Sequence, residues 1–410
     1  MQTYSSSSNR EKSPQNGFET VSGSSTGQKK ESLYLPKEDK KLVRYLTRDG
    51  AYDERDFAEE GIIPLDGSSR YRITRKCIEY CAEQGNFDVL DWMAGHGAVT
   101  GCYGLGDNKE HQEKFFSWLE NAPVTSLNMS ENNLGRTETE GMDLGGDSGY
   151  RPGVSIRYDI SSFARVLVRN ANLVSLMLRE TQLADPHLVT LASGLLKNTS
   201  LTSLDIGNNP EIGLKGIEAL MSIFKTNKTL THLGLDHIGI KYEMMVFIAA
   251  AIKENNTPCS LDFSFNKIDS ESAKKLFDAL ITNSKLQHLD LGHNRIITKN
   301  AEVLAKMLEK NNTLTLLDLA GSKIGPVGIA AMSNALKKNT TLATLSLASC
   351  KIHKTSAIYL IEALTENKTL TSLDLTGTDV STEDIDTVNR LLERNKQNVT
   401  QAIIRERTKD

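Results

Sequence analysis

The sequence predicts an α/β solenoid, in which short units of strand, turn and helix stack on one another. Three observations carry that prediction. The first is a period of 28 residues: Leu286, Leu314, Leu342 and Leu370 open successive copies between Pro258 and Val380 with almost no slippage. The second is the change of apolar spacing inside each copy. Leu289 and Leu291 alternate with period two, as do Leu317 with Leu319 and Leu345 with Leu347, which describes a short strand with those side chains on one face. Ala301, Leu304, Met307 and Leu308 then recur at helical spacing and mark one face of a helix. The third is the small size of the unit, which cannot bury its own apolar face. Copies must therefore stack, with a parallel sheet on one side and a row of helices on the other.

The punctuation between these elements is regular as well. Asn227, Asn255, Asn283, Asn311, Asn339, Asn367 and Asn395 fall 28 residues apart at the ends of the helical stretches. A left-handed residue, which Asn tolerates, is expected there to turn the chain. A second column, Asn132, Asn209, Asn266 and Asn294, follows the strand, where a buried amide can satisfy the backbone of the bend. Thr181, Ile238, Ser322, Cys350 and Thr378 take that place in other copies. Taken together, the pattern LxxLxLxxNxI, the 28-residue period and the full helix in each copy resemble the ribonuclease-inhibitor type of leucine-rich repeat. Nine copies open at Val124, Leu173, Leu201, Leu230, Pro258, Leu286, Leu314, Leu342 and Leu370. The resemblance implies a leucine-rich repeat solenoid, a horseshoe with the sheet inside and the helices outside. It implies a recognition surface and no particular chemistry.

Composition narrows the function classes. With 24% charged and 39% hydrophobic residues and a mean hydropathy of −0.35, the chain reads as soluble. A net charge of −4 and a pI near 6.1 give no global basic field, so nucleic acid is not favoured as a partner. No apolar run is long enough for a membrane span, and the N-terminus lacks the apolar stretch of a secretory signal. Five cysteines, Cys77, Cys81, Cys102, Cys259 and Cys350, without paired spacing argue against a disulfide framework and fit a reducing compartment. Triplets such as Asn198-Thr199-Ser200, Asn227-Lys228-Thr229 and Asn367-Lys368-Thr369 match a glycosylation signal only because the turn pattern generates them.

Outside the repeats the chain divides into further segments. Residues 1–33 are rich in Ser, Gly and Gln and poor in apolar residues, and are expected to be disordered. A Ser-rich, weakly charged N-terminus ahead of such repeats resembles bacterial type III secretion effectors. That resemblance implies delivery into a host cytoplasm by a route independent of a signal peptide; the alternative is a cytoplasmic protein with a solvated tail. Residues 34–122 read as a helical cap. KEDKKLVRYLTRD gives one amphipathic helix and RITRKCIEYCAEQGNFDVLDWMAGHGA two more. The latter resembles a single ankyrin repeat through Ala82, Gly85, Val89, Leu90, Gly97 and Ala98 and departs from it at Lys76-Cys77-Ile78-Glu79. One lone copy is expected to serve as a helical hairpin closing the solenoid, with HQEKFFSWLENAP as the last helix before the first strand. The repeats then occupy 123–397. The copies at Val124 and Leu173 open 49 residues apart instead of 28, which leaves 21 extra residues, a Gly-rich insertion at 135–155. Residues 398–410 are expected to form a terminal cap or tail.

The candidate contact residues lie between and beside the strand leucines, where side chains point out of the concave sheet in columns about 4.8 Å apart. One column is acidic: Asp205, Asp262, Asp290, Asp318 and Asp374. A second, on the loop after the strand, is a basic rim of Lys267, Arg295, Lys323 and Lys351. An acidic middle with a basic edge suits a protein partner of complementary pattern, although Asp at this place is also a frequent feature of such repeats. Residues that break the pattern complete the candidate surface: His232 and His288 two copies apart, Phe265 and His293 on the following loop, Leu316 on the exposed face, and Met177 with Arg179 nearer the start. A monomer is the expected state.

Chemistry beyond recognition finds little support. His232 and His237 are five residues apart, as are His288 and His293, but the pairs sit two copies apart, about 9–10 Å, too far to converge on one zinc ion. No metal is therefore expected. GHGAVTGCYGLGD lacks the spacing of a phosphate-binding loop and reads as an ordinary loop, so no cofactor is expected either. Two enzyme classes remain as alternatives. Some effectors of this repeat type are ubiquitin ligases with a Cys-x-Asp nucleophile; no cysteine here is followed by Asp at that spacing, which leaves Cys102 with His96 or His111 as the candidate. The Ran GTPase-activating protein shares the repeat type, but its long acidic tail has no counterpart in this sequence.

Overall fold

The computed structural model describes residues 72–73, 81–82, 87, 90–91, 99–101, 109–130, 160–255, 257 and 259–407, all within the compact unit Leu35–Asp410. The tail 1–33, the first helix expected in the cap, the insertion 135–155, and His96 with Cys77 and Cys102 lie outside the described residues.

Among the described residues, eleven parallel strands form one sheet in chain order. They are β1 (Arg72–Ile73), β2 (Val99–Gly101), β3 (Ser126–Asn128), β4 (Ser175–Met177), β5 (Ser203–Asp205), β6 (His232–Gly234), β7 (Cys259–Asp262), β8 (Leu286–Asp290), β9 (Leu316–Asp318), β10 (Thr344–Ser346) and β11 (Ser372–Asp374). The helices are α1 (Lys109–Leu119), α2 (Ile160–Arg169), α3 (Asp185–Leu195), α4 (Leu214–Phe224), α5 (Tyr242–Glu254), α6 (Ser270–Leu280), α7 (Ala301–Lys310), α8 (Gly325–Lys338), α9 (Ala357–Glu366) and α10 (Thr382–Arg407). Strands β3 to β11 are the strands of the nine copies. Their middle leucines pair in register, Leu289 with Leu261 and Leu317 for example, and point into the core. Each copy supplies one strand and one helix. Packed helices need about 8–10 Å and paired strands about 4.8 Å, so stacking curves the array with the sheet on the concave side.

One apolar core runs through these copies from Cys81 to Leu392. Two buried asparagine ladders stitch it. In the first, Asn266 donates to Leu235 O and Phe263 O while its Oδ1 accepts from Ile238, Gly239 and Ile240 N–H, so a single amide closes the bend of two copies. In the second, at the helix ends, Asn283, Asn311, Asn339 and Asn367 donate to Ile252, Leu280, Leu308 and Leu336 O in the preceding helix and accept the N–H of residues just ahead. The expectation that these asparagines turn the chain by a left-handed backbone is corrected here. Asn255, Asn311, Asn339 and Asn367 have φ between −67° and −73° and extended ψ. Their side-chain amide does the turning. Asn395 does not end a helix at all: α10 runs through it to Arg407, past the boundary expected at 397.

The cap also differs from expectation. The sheet continues into it through β2 and β1, with Thr100 beside Leu127 and Arg72 beside Val99, each pair 27 residues apart. Val99–Gly101 falls within the stretch read as a loop. These strands, two and three residues long, lack the leucine pattern that marks the equally short strands of the nine copies. Helical residues at Cys81–Ala82 and Leu90–Asp91 accompany them. In α1, Phe115, Phe116 and Leu119 enter the common core, Phe116 meets Phe163 edge to face at 4.7 Å, and the Trp118 indole donates to Asp91 at 2.8 Å. Among the described residues no helix is long and apolar enough to cross a membrane.

Candidate functional site

The exposed face of β5 to β9 is built from three adjacent columns, beginning at the strand's last residue. Asp205, Asp262, Asp290, Asp318 and Asp374 occupy that place, and each directs one carboxylate oxygen to the backbone N–H two residues on: Gly207 at 2.9 Å, Ser264 at 2.8 Å, Gly292 at 2.8 Å, Ala320 at 2.7 Å and Thr376 at 2.8 Å. Asn128 does the same for Ser130. The recurrence of Asp therefore has a local cause, a short side chain that closes the turn leaving the strand. The column is also interrupted. Gly234 stands between Asp205 and Asp262, and Ser346 between Asp318 and Asp374. Asp374 is exposed on β11, where its bonds to Thr376 hold it below the usual carboxylate range.

What remains contiguous is Asp262, Asp290 and Asp318 on three paired strands. Burial, and after it the charges of Asp262, Asp318 and Asp236, push the Asp290 carboxyl up to about 6 against the opposing Gly292 N–H. Among the described residues no cation forms an ion pair with these three carboxylates. The first part of the face is different. Arg179 donates to Asp205 at 3.1 and 3.2 Å and to both oxygens of Asp236, the Nη2 bond at 2.7 Å. Asp236 is 6% exposed at its side chain, and its bonds to Arg179 and His237 outweigh burial to hold it below the usual Asp range. Arg179 is thus held by two carboxylates of the protein itself, with its side chain 34% exposed. Gly207 and Gly234 leave room for this cluster: a Cβ on Gly207 would collide with Asp236 and Arg179, and one on Gly234 would lie 2.7 Å from Asp205 Oδ1.

The second column follows the strand by three residues and is left-handed throughout. Glu180, Asn208, His237, Phe265, His293 and Ser349 have φ between 53° and 56°, and Gly321 and Gly377 have φ of 69° and 72°. His237, Phe265 and His293 stack in this column with ring centroids 4.5 and 4.3 Å apart and planes within 15°. All three are exposed, Phe265 at 44%. A bulky residue at positive φ is an uncommon choice in a column that glycine also occupies. The third column is the basic rim of Lys267, Arg295, Lys323 and Lys351, all exposed. Two residues before the strand's last residue, His232, Ser260, His288 and Leu316 lie side by side, the histidines exposed and Leu316 half-buried; Thr231 Oγ1 lies 2.9 Å from His232 Nδ1. Met177, the last residue of β4, is half-buried and pairs beside Asp205.

The sequence reading assembled most of this surface but missed Asp236 and treated His237 only as a metal candidate. The copy from Leu201 to Leu230 is 29 residues long, which shifts the register ahead of Asp236. A usable signal was the spacing of His237, Phe265 and His293, 28 residues each. Among the described residues no group of three or more His, Cys, Asp or Glu could hold a metal ion. Of the cysteines, Cys81 is buried. The Cys350 thiol, which donates to Leu319 O at 3.2 Å in place of a ladder asparagine, is pushed up to about 11 by burial.

Comparison with known proteins gives a family match to "Leucine Rich repeat" over residues 197–221, 260–277, 282–300, 310–333 and 366–387. No curated protein matches. Among solved structures, the leucine-rich repeat-containing protein LegL7 from Legionella pneumophila is 21% identical over 56% of this chain and 77% of that chain, with a TM-score of 0.39. The actin-binding site 2 fragment of leiomodin-1 is 17% identical over 51% of this chain and 88% of that chain, with a TM-score of 0.26. Neither likeness bears on function.

Proposed function

We propose, on the premise that this chain is a leucine-rich repeat protein and its solenoid a module for protein–protein interaction, that it captures its partner on the concave face of β5 to β9. One observation carries this reading. Three carboxylates that meet no cation among the described residues, Asp262, Asp290 and Asp318, stand in adjacent strands, and the same face carries an exposed stack of rings, so negative charge and apolar surface share one patch. Replacing Asp262, Asp290 and Asp318 together by Lys should abolish capture of the partner while the far-ultraviolet circular dichroism stays unchanged. Undiminished capture by this variant rules out the concave face.

The finer reading is a bacterial effector delivered into a host cell to bind a host protein. Its support is the composition of residues 1–33, Ser-rich, weakly charged and without an apolar stretch. Fusing that segment to a reporter enzyme and assaying its transfer into host cells tests it: transfer that depends on a type III apparatus is expected, and no transfer refutes delivery by this segment.

A further inference from the structure

The concave face contains a slot whose first part the protein fills with its own side chain. The floor of the slot is the residue just ahead of the left-handed column. In order it reads Gly207, Asp236, Ser264, Gly292, Ala320 and Ala348, neighbours because the N–H of Asn208, His237, Phe265, His293 and Gly321 each reaches the next floor carbonyl. Over Gly207 lies the Arg179 guanidinium, paired on both sides with Asp205 and Asp236. Beyond Asp236 the floor is small. Over Gly292 two carboxylates converge again: the position of an added Cβ lies 3.1 Å from Asp290 Oδ1 and 3.6 Å from Asp318 Oδ1. This second station shares the glycine floor and the strand-end carboxylate of the first, with Asp290 in the place of Asp205; its second carboxylate is Asp318, in the place of Gly234, instead of a floor residue such as Asp236, and no cation of the described residues occupies it.

One wall distinguishes it further. Phe265 and His293 stand along the slot as stacked rings, and the stack ends where Gly321 follows His293 with no side chain of its own. No side chain of the next residue in the column lies over the His293 ring, and only the Gly321 backbone meets it, close enough that an added Cβ would sit 2.8 Å from His293 Nδ1. A planar cation fits such a place better than a spherical one. A guanidinium bonds two carboxylates through its fork and stacks on a ring, whereas an ammonium does neither in the same geometry.

We infer that the station over Gly292 is a docking slot for an arginine side chain of the protein partner, paired with Asp290 and Asp318 and stacked against the outer face of His293, which Phe265 backs from the other side. Arg179 over Gly207 is the internal precedent for the same recognition. This rests on the concave-face reading and adds to it the chemistry of the partner, a segment bearing arginine.

The test titrates the full chain by calorimetry with a hexa-arginine peptide and, at equal ionic strength, a hexa-lysine peptide. Hexa-arginine should bind about tenfold more tightly, the difference set by the fork and the ring face. The double variant Phe265→Gly with His293→Gly should reduce that advantage to about twofold or less, because it removes the ring wall and leaves the charge. Both positions have φ of 56°, where glycine is at ease, so the variant keeps its fold. Asp290→Asn should weaken hexa-arginine about tenfold. Equal affinity for the two peptides, or an arginine advantage that survives the glycine variant, overturns the slot. The natural partner separates the two readings. Capture lost on His232→Glu with Leu316→Glu but retained in the glycine variant and in Asp290→Asn keeps the concave face and removes the slot; capture indifferent to all of these removes both.

Discussion

Asp236 and Asp290 are carboxylates two strands apart on one surface, and their surroundings drive them in opposite directions. Asp236 is held charged by Arg179, and its lowered titration means that its contribution is present above the ordinary Asp value of about 3.9 and is lost as pH falls through the still lower folded value. Arg179→Met should therefore cost about 2–4 kcal/mol near pH 7, and the deficit should shrink in strong acid, as urea unfolding at pH 7 and pH 3 would show. Asp290 behaves the other way. Its folded value of about 6 lies above that of an unfolded Asp, so the native state is penalised at neutral pH and recovers as pH falls from about 6 toward about 4. Asp290→Asn keeps an oxygen for Gly292 N–H and should be more stable than the parent by about 1 kcal/mol at pH 7.5, screening included, with the gain gone by pH 4. Phe265 balances two terms: left-handed backbone costs about 1–2 kcal/mol, and two ring contacts return about 0.5–1.5 kcal/mol each. Phe265→Gly should then change stability by less than about 1 kcal/mol in a denaturant titration.

At the scale of the element, the helix of one copy is tied to the next less by propensity than by the asparagine at its end. Asn311 donates to Leu280 O at 2.8 Å and Asn283 O at 3.2 Å and accepts from Thr313 and Leu314 N–H at 3.1 and 2.8 Å. Removing that amide takes their partner from three buried backbone groups and one half-buried one. Asn311→Ala should cost about 2–4 kcal/mol, measured by thermal and chemical unfolding. An aspartate would keep the acceptor and lose both donors, so Asn311→Asp should fare no better. The leucines at the opening of each copy place this asparagine but do not show how it acts. Its spacing was legible from sequence; its extended backbone was not, because a turn can be closed by a left-handed residue or by a side chain, and the two leave the same periodic mark.

At the largest scale the described residues form a row of copies sharing one core, so their stability is a sum of neighbour contacts and the weakest point is an end. At the C-terminal side, α10 covers the last copy: Val388 and Leu392 are buried, Asn395 donates to Asn367 O and Leu370 O, and Arg394 to Leu364 O and Asn367 O. Deleting 382–407 should remove hydrogen-exchange protection first from β11, α9 and β10, while β4 to β6 keep theirs. Simultaneous loss across all strands would mean that the array unfolds as one unit. The concave face lies on β5 to β9, well inside the protected part, which suits a docking surface that must hold its columns in register.

The sequence by itself determined the copies, their strands, the inward leucines and the columns of Asp, Lys and Arg on the exposed side, because a repeating period fixes which residues come to lie next to one another. Only the tertiary structure decided how the members of each column use their neighbours. Arg179 meets Asp236 across 57 residues and an intervening glycine, and Asp236 stands out of step with the acidic column, so no spacing announced the pair. The three rings share a period, yet whether they stack depends on backbone dihedrals and rotamers that a period does not contain. Strands β1 and β2, which lack the leucine pattern of the copies, became visible only through the neighbours they pair with. Periodicity is a local property carried along the chain; pairing of charges, stacking of rings and satisfaction of buried amides are set by contacts that exist only once the copies have stacked.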